Sequence, residues 1–149
     1  MLSAKLVRLI ETNWSEIANR LWKEVRKHPD MPNLAEKTEA EMREWCRGIL
    51  EDLDYMLSAS KQQEVKRRFE VLGRMRFEER IPLHEAVLRF QILKDKIIGF
   101  VHDQGFPMSA MHLYAEEELE LRIGRFFDGC IYHLVRGYEA ARRVAVRVA

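Results

Sequence analysis

The chain has 149 residues and a formal net charge of +1 at pH 7, a balance that predicts neither a nucleic acid nor a membrane surface as its partner. Hydrophobic residues make up 47% and charged residues 33%, while 7 glycines and 4 prolines are too few for a turn-rich β fold. The length predicts one domain spanning residues 1–149, with a core of its own.

The two cysteines, Cys46 and Cys130, are too few for a disulfide framework and predict reduced thiols. The N-terminal residues lack the apolar segment of a secretory signal. No apolar run in the sequence reaches the length that a membrane-spanning helix needs. We therefore expect a cytoplasmic protein.

Apolar residues recur with the period of an α-helix along most of the chain and predict about five helices. The first covers about residues 3–27 and ends before Pro29, because a proline disfavours helix in the residue preceding it. The second begins at Thr38, where Thr38 and Glu41 have the spacing of a capping box, and continues to Leu57.

The third predicted helix, about residues 61–79, directs Phe69 and Met75 inward and carries a basic outer face. That outer face consists of Lys61, Lys66, Arg67, Arg68, Arg74 and Arg76. Glutamates are interspersed among these residues, as on an ordinary solvated helix face. The fourth helix, about residues 83–101, is apolar over most of its circumference and is therefore predicted to be central.

The fifth and longest helix is predicted to begin at a Ser109 cap and to run to the last residues of the chain. From Ile123 to Val148 its small and apolar residues alternate every three or four positions, the spacing of a coiled-coil seam. We expect this seam to join two copies of the chain. The predicted interface residues are Ile123, Phe127, Cys130, Leu134, Ala141 and Val144. In the alternative arrangement, the first half of the seam packs inside one chain and only the last turns are free, and we expect some of both.

The sequence contains no nucleophile motif, no phosphate-binding glycine loop and no His-Glu-x-x-His, and it predicts a non-catalytic protein without cofactor or metal. One alternative is a sensor that binds haem or another small ligand, with His84, His102 and His133 as candidate ligand-binding residues. A second alternative is a metal-dependent enzyme in a helical bundle. It would use the pair His112–Glu116 or Cys130–His133, and the sequence names no third ligand for either.

Several apolar spacings resemble a known family. Trp14, Ile17 and Leu21 precede the His28-Pro29 break. Further along, Arg68, Leu72 and Arg76 lead into the segment IPLHEAV at residues 81–87, followed by Phe90, Leu93 and Ile97. This pattern resembles the N-terminal domain of stressosome co-antagonists of the RsbR type and of related bacterial signalling proteins.

The resemblance implies an all-α, globin-like or bundle-like fold that lacks haem and dimerises. It also implies that the last helix passes a signal to an output domain or to a regulatory protein. It supplies no catalytic residues. Because no output domain of the anti-sigma-factor-antagonist type follows Ala149, we expect either a stand-alone relative or the sensor region of a longer protein.

Overall fold

The computed structural model describes residues 2–105 and 109–148, and within these ranges the chain forms seven α-helices and no β-strand. The helices are α1 (Leu2–Thr12), α2 (Trp14–Lys27), α3 (Glu39–Leu50), α4 (Leu53–Leu57), α5 (Gln62–Glu78), α6 (Leu83–His102) and α7 (Ala110–Val148). Two 3-10 turns, Leu34–Glu36 and Ala59–Lys61, lie before α3 and α5. The predicted all-α class and the long last helix, which has 39 residues, are confirmed.

The helix count exceeds the predicted five because the first two predicted helices are each interrupted. At Asn13 the side-chain Nδ2 donates to the Leu9 carbonyl at 2.8 Å and competes with the helical backbone bonds. At Asp52 the chain starts a new helix, α4, and the Glu11 carboxylate accepts a hydrogen bond from the Asp54 N–H at 3.1 Å. Since Glu11 lies on α1, the sequence around Asp54 does not reveal this hydrogen bond.

Both predicted helix caps are present. The Thr38 hydroxyl accepts a hydrogen bond from the Glu41 N–H at 3.1 Å, and the Ser109 hydroxyl accepts one from the His112 N–H at 3.2 Å. The Glu41 side chain does not complete a capping box and instead lies 3.6 Å from the Lys37 ammonium. Each cap satisfies a backbone donor that has no partner within its helix.

The prediction that the fourth helix is central is confirmed by α6, which contacts α1, α2, α5 and α7. Around it, four phenylalanines of the core pack edge to face. They are Phe69, Phe90, Phe126 and Phe127. Their rings join α5, α6 and α7 into one apolar centre, because large aromatic side chains contribute the most buried area in a core of this size.

Helices α5 and α7 form the most extensive contact in the fold, and two glycines let their backbones touch. A Cβ atom added to Gly137 would lie within 3.0 Å of the Glu70 backbone, and one added to Gly73 would lie within 3.0 Å of the Leu134 and Tyr138 backbones. Real Cβ atoms essentially never approach so closely, so the crossing requires glycine on both helices.

Candidate functional site

The predicted interface residues of α7 separate into two groups. Ile123, Phe127, Cys130 and Leu134 are 0–1% exposed, so these four are already used within the chain and are not available to a second copy. The first half of the seam thus packs inside the chain, as in the alternative arrangement, because a three-and-four spacing suits packing against any neighbouring helix; here α5 and α6 are the main neighbours. Ala141 is half-buried and Val144 is exposed.

A different set of large apolar residues is exposed on α7, on the side opposite this buried seam. Tyr114, Leu121, Tyr132 and Val146 are 70%, 62%, 56% and 71% exposed. They recur at intervals of about two, three and four helical turns, which places them on one face of the helix. We call this set the outward face of α7.

Charge is distributed unevenly along the exposed surface of α7. Glu117 and Glu118 are exposed in its N-terminal part, and Arg142 and Arg143 are exposed in its C-terminal part. Both arginines make only long ion pairs, at 3.7 and 3.8 Å, with Glu139 of the same helix. One end of α7 is therefore acidic and the other basic, separated by much of a helix that is about 58 Å long.

The three histidines singled out from the sequence are not brought together. His84 is exposed in the first turn of α6, whereas His102 ends the same helix, exposed, with Nε2 2.5 Å from the Glu120 Oε1. His133 lies on α7 and is half-buried; its Nδ1 has no hydrogen-bond partner among the described residues. Desolvation lowers the pKa of His133, which keeps its imidazole neutral at pH 7.

Both cysteines are free and buried. Desolvation raises the pKa of Cys46 to about 12 and also raises that of Cys130, so neither thiol forms a reactive thiolate at neutral pH. In residues 2–105 and 109–148, no three His, Cys, Asp or Glu side chains lie close enough to hold a metal ion. The described helices also include none that is both long and apolar enough to cross a bilayer.

A cleft of about 380 Å³ opens beside α3, α5 and α6, and two nearly buried arginines line it. Its lining residues are Lys37, Glu41, Glu44, Trp45, Leu72, Arg76, Glu79 and Arg89. Arg76 is 8% exposed and Arg89 is 2% exposed. We call this feature the arginine cleft after these two residues. Charged side chains are rarely so deeply buried unless they are paired.

Arg89 forms no ion pair within 4 Å among the described residues, although the Glu79 charge acts on it from farther away. Its guanidinium carbon lies 3.9 Å from the centroid of the Trp45 ring, and its Nη1 lies 3.8 Å from the Met42 sulfur. Its Nε is buried without a hydrogen-bond partner. Burial, together with the charge of Arg76, lowers the pKa of Arg89 to about 9, so the side chain is still a cation at neutral pH.

The carboxylates around the cleft are already engaged by other cations. Glu79 accepts from the Lys37 ammonium at 3.2 Å through Oε2 and from the Arg76 Nη2 at 3.1 Å through Oε1. Glu44 is exposed and pairs with Arg47 at 3.4 Å. The cleft lining therefore contains three cations and three carboxylates, and Arg89 is the cation that makes no close ion pair among the described residues.

Sequence reasoning missed the arginine cleft. The expectation that Arg76 lies on the basic outer face of α5 is wrong: its side chain is 8% exposed and lines the cleft with residues of α3 and α6. Arg89 and Glu85 were not singled out at all. The available signal was helical phase, because Glu85, Arg89 and the buried Leu93 follow one another at intervals of four residues and so share a face.

Comparison with known proteins yields no matching family model, no similar curated protein and no similar solved structure. The resemblance to stressosome sensor domains thus rests on the sequence pattern alone.

Proposed function

We propose that this chain is a non-catalytic bacterial regulatory domain that forms a homodimer through the outward face of α7 and relays a signal along that helix to a protein partner. The observation that carries the proposal is the row of exposed apolar residues, Tyr114, Leu121, Tyr132 and Val146, on a helix whose opposite face is packed into the core from Ala115 to Tyr138. Exposed apolar side chains aligned along one face of a helix suit packing against another helix.

A second copy of the chain is the occupant that the charges favour. In an antiparallel pair of α7 helices, Glu117 and Glu118 of one copy face Arg142 and Arg143 of the other, and the same contact recurs on the far side of the twofold axis. Tyr114 then lies near Val146 of the other copy, while Asp128 and Tyr132 lie near the axis. A parallel pair would instead place like charges together, which disfavours that arrangement.

Gly124 and Gly129 are further evidence that this surface is an interface. A Cβ added to either glycine would meet nothing within 4 Å, so packing inside this chain gives no reason for glycine at these positions. Gly129 lies close in sequence to Asp128 and Tyr132, near the proposed twofold axis. Small residues there would let two helices approach closely.

A relay along α7 is supported by the glycine crossing with α5. Because Gly73 and Gly137 bring the two backbones into contact, α5 cannot shift along α7 without displacing it. Helix α5 also carries Arg76 of the arginine cleft. A change at the cleft therefore reaches the dimerising helix through one directly packed neighbour.

The proposal is tested by light scattering after size exclusion. The wild-type chain should have about twice its monomer mass of 17.7 kDa. Leu121→Arg should be monomeric, because it replaces an apolar side chain of the proposed interface with a charged one that would have to lose its water. Val71→Arg is the matched control: Val71 is 42% exposed on α5, away from the outward face, and its substitution should leave the dimer intact.

A charge exchange tests the antiparallel arrangement separately. Changing Glu117 and Glu118 to Arg should weaken the dimer, as should changing Arg142 and Arg143 to Glu, because each places like charges across the interface. Combining all four changes should restore dimerisation. A monomeric wild type, a dimer indifferent to Leu121→Arg, or a fourfold variant weaker than both double variants would contradict the proposal.

A further inference from the structure

The arginine cleft contains a cation whose burial the described residues do not explain. Arg89 is 2% exposed, yet it forms no ion pair with a described carboxylate, and its Nε has no hydrogen-bond partner. Arg76 is 8% exposed, and its Nε also lacks a partner, although its Nη2 is paired with Glu79 at 3.1 Å. Buried charges are ordinarily paired, so two neighbouring guanidiniums with free donors call for an anion.

The contacts that Arg89 does make fix its position rather than neutralise its charge. The ring of Trp45 lies against the guanidinium at 3.9 Å, and Phe90 packs edge to face on Trp45 at a centroid distance of 5.0 Å. The Met42 sulfur at 3.8 Å is a weak acceptor. The guanidinium is thus held in place with donors unused, the arrangement that suits capture of an oxyanion.

The size and lining of the cleft limit the ligand. A volume of about 380 Å³ lies at the small end of ligand-binding pockets. Trp45 and Leu72 supply apolar wall, whereas Glu41 and Glu44 at the rim repel a ligand that carries several negative charges. A single oxyanion at the floor, attached to a compact apolar body, satisfies both conditions.

We propose that the arginine cleft binds a small organic carboxylate, whose oxygens accept hydrogen bonds from Arg76 and Arg89 and whose apolar body lies against Trp45 and Leu72. This site goes beyond the proposed dimerisation and does not require it. Arg76 follows Gly73 by about one turn of α5, so the bound carboxylate would touch the helix that packs on α7.

Binding can be measured with benzoate and acetate as probes, by tryptophan fluorescence and by thermal unfolding, at a constant ionic strength set with sodium chloride. Benzoate should give a saturable change in fluorescence and a raised Tm, because Trp45 lines the site and a ligand that binds only the folded chain stabilises it. Acetate should bind more weakly, since it lacks the apolar body. In Trp45→Phe the fluorescence change should disappear, which assigns it to Trp45 rather than to Trp14 or Trp22.

Two variants test whether the guanidiniums of Arg89 and Arg76 bind the carboxylate. Arg89→Met keeps an unbranched side chain out to about the position of Nε and removes the guanidinium, and it should raise the Kd for benzoate by about tenfold or more. Arg76→Met should act in the same direction. Arg74→Met is the control, since Arg74 lies on the same helix but is exposed, and its Kd should stay within about twofold of the wild type.

Benzoate binding and dimerisation can be tested independently. Benzoate binding should persist in monomeric Leu121→Arg, so loss of the dimer leaves the carboxylate site measurable. Absence of saturable benzoate binding to the wild type would overturn the proposal. So would binding of inorganic phosphate in preference to benzoate, or equal benzoate affinity in the wild type, Arg89→Met and Arg76→Met.

Discussion

Helix α5 has two sides with opposite character. Toward α7, Gly73 and Gly137 let the backbones meet. Toward α3 and α6, the same helix contributes Arg76 to a cleft where Arg89 is buried without a close ion pair. The first side is packed as closely as a protein interior allows, whereas the second retains a buried charge that lowers stability.

The difference separates a region that contributes to stability from a region that has the character of a functional site. A close backbone crossing stabilises only the folded state and has no need of a ligand. A buried cation with unused donors destabilises the ligand-free chain, and such local conflicts are expected at functional sites. Substitutions on the two sides should therefore have opposite effects on the free energy of unfolding. Replacing a glycine of the crossing should lower it, whereas removing the buried cation should raise it.

The largest effect is expected at the glycine crossing. Gly137→Ala should lower the free energy of unfolding by about 3 kcal/mol or more, because its Cβ would overlap the backbone of Glu70, which cannot rotate away. Urea unfolding followed by circular dichroism measures this. Gly99→Ala on α6 is the control: its Cβ would meet nothing within 4 Å, and it should gain up to about 1 kcal/mol from helix propensity. Equal effects at the two positions would contradict the crossing.

The next largest effect on stability is expected at Glu85 of α6. Unlike Arg89, this buried charged residue has hydrogen-bond partners for its charged group. Its carboxylate is 0% exposed and accepts from the backbone N–H groups of Asn33 and Leu34, each at 2.9 Å, and from the Asn33 Nδ2 at 2.6 Å. Glu85→Ala should lower the free energy of unfolding by about 3 kcal/mol, because it leaves buried donors without an acceptor. Glu85→Gln keeps one acceptor oxygen and should lose less. An unchanged stability in Glu85→Ala would show that water replaces the carboxylate.

The sequence predicted the helical class because periodic apolar residues and the caps at Thr38 and Ser109 are local signals. It did not predict the α3–α4 break, since the hydrogen bond from Asp54 to Glu11 depends on how α1 packs. For the same reason, the spacing around Leu134 showed that a helix packs there but not which helix it meets.

The arginine cleft was harder to predict than the fold. A charged residue in an amphipathic helix is ordinarily solvated, and composition gives no sign that Arg76 and Arg89 are covered by neighbouring elements. Glu85 and Arg89 are one turn apart on a largely apolar helix, and that phase was the one available clue. It indicates burial, but the partner of each charge depends on tertiary structure.

A smaller effect of opposite sign is expected at Arg89. Without ligand, Arg89→Met should raise the free energy of unfolding by about 1–2 kcal/mol, because it replaces a buried cation that has no close ion pair with a shorter, unbranched apolar side chain. The measurement is urea unfolding in a buffer free of carboxylates, with exposed Arg74→Met as the control, for which little change is expected. Destabilisation comparable with that of Glu85→Ala would mean that Arg89 supports the fold rather than a ligand.

The smallest effect is expected at Arg80, where α5 ends beside the cleft. Its φ of 62° is left-handed, and the Ile81 N–H donates to the Arg76 carbonyl at 3.0 Å in a terminal motif that normally uses glycine. Arg80→Gly should raise the free energy of unfolding by about 1 kcal/mol, because glycine adopts this conformation without strain. Glu78→Gly, in the regular last turn of α5, is the control and should lower it by about 1 kcal/mol. A gain at Arg80 would place local strain on the same side of α5 as the unpaired charge, whereas a loss would mean that the Arg80 side chain makes a stabilising contact that outweighs its backbone conformation.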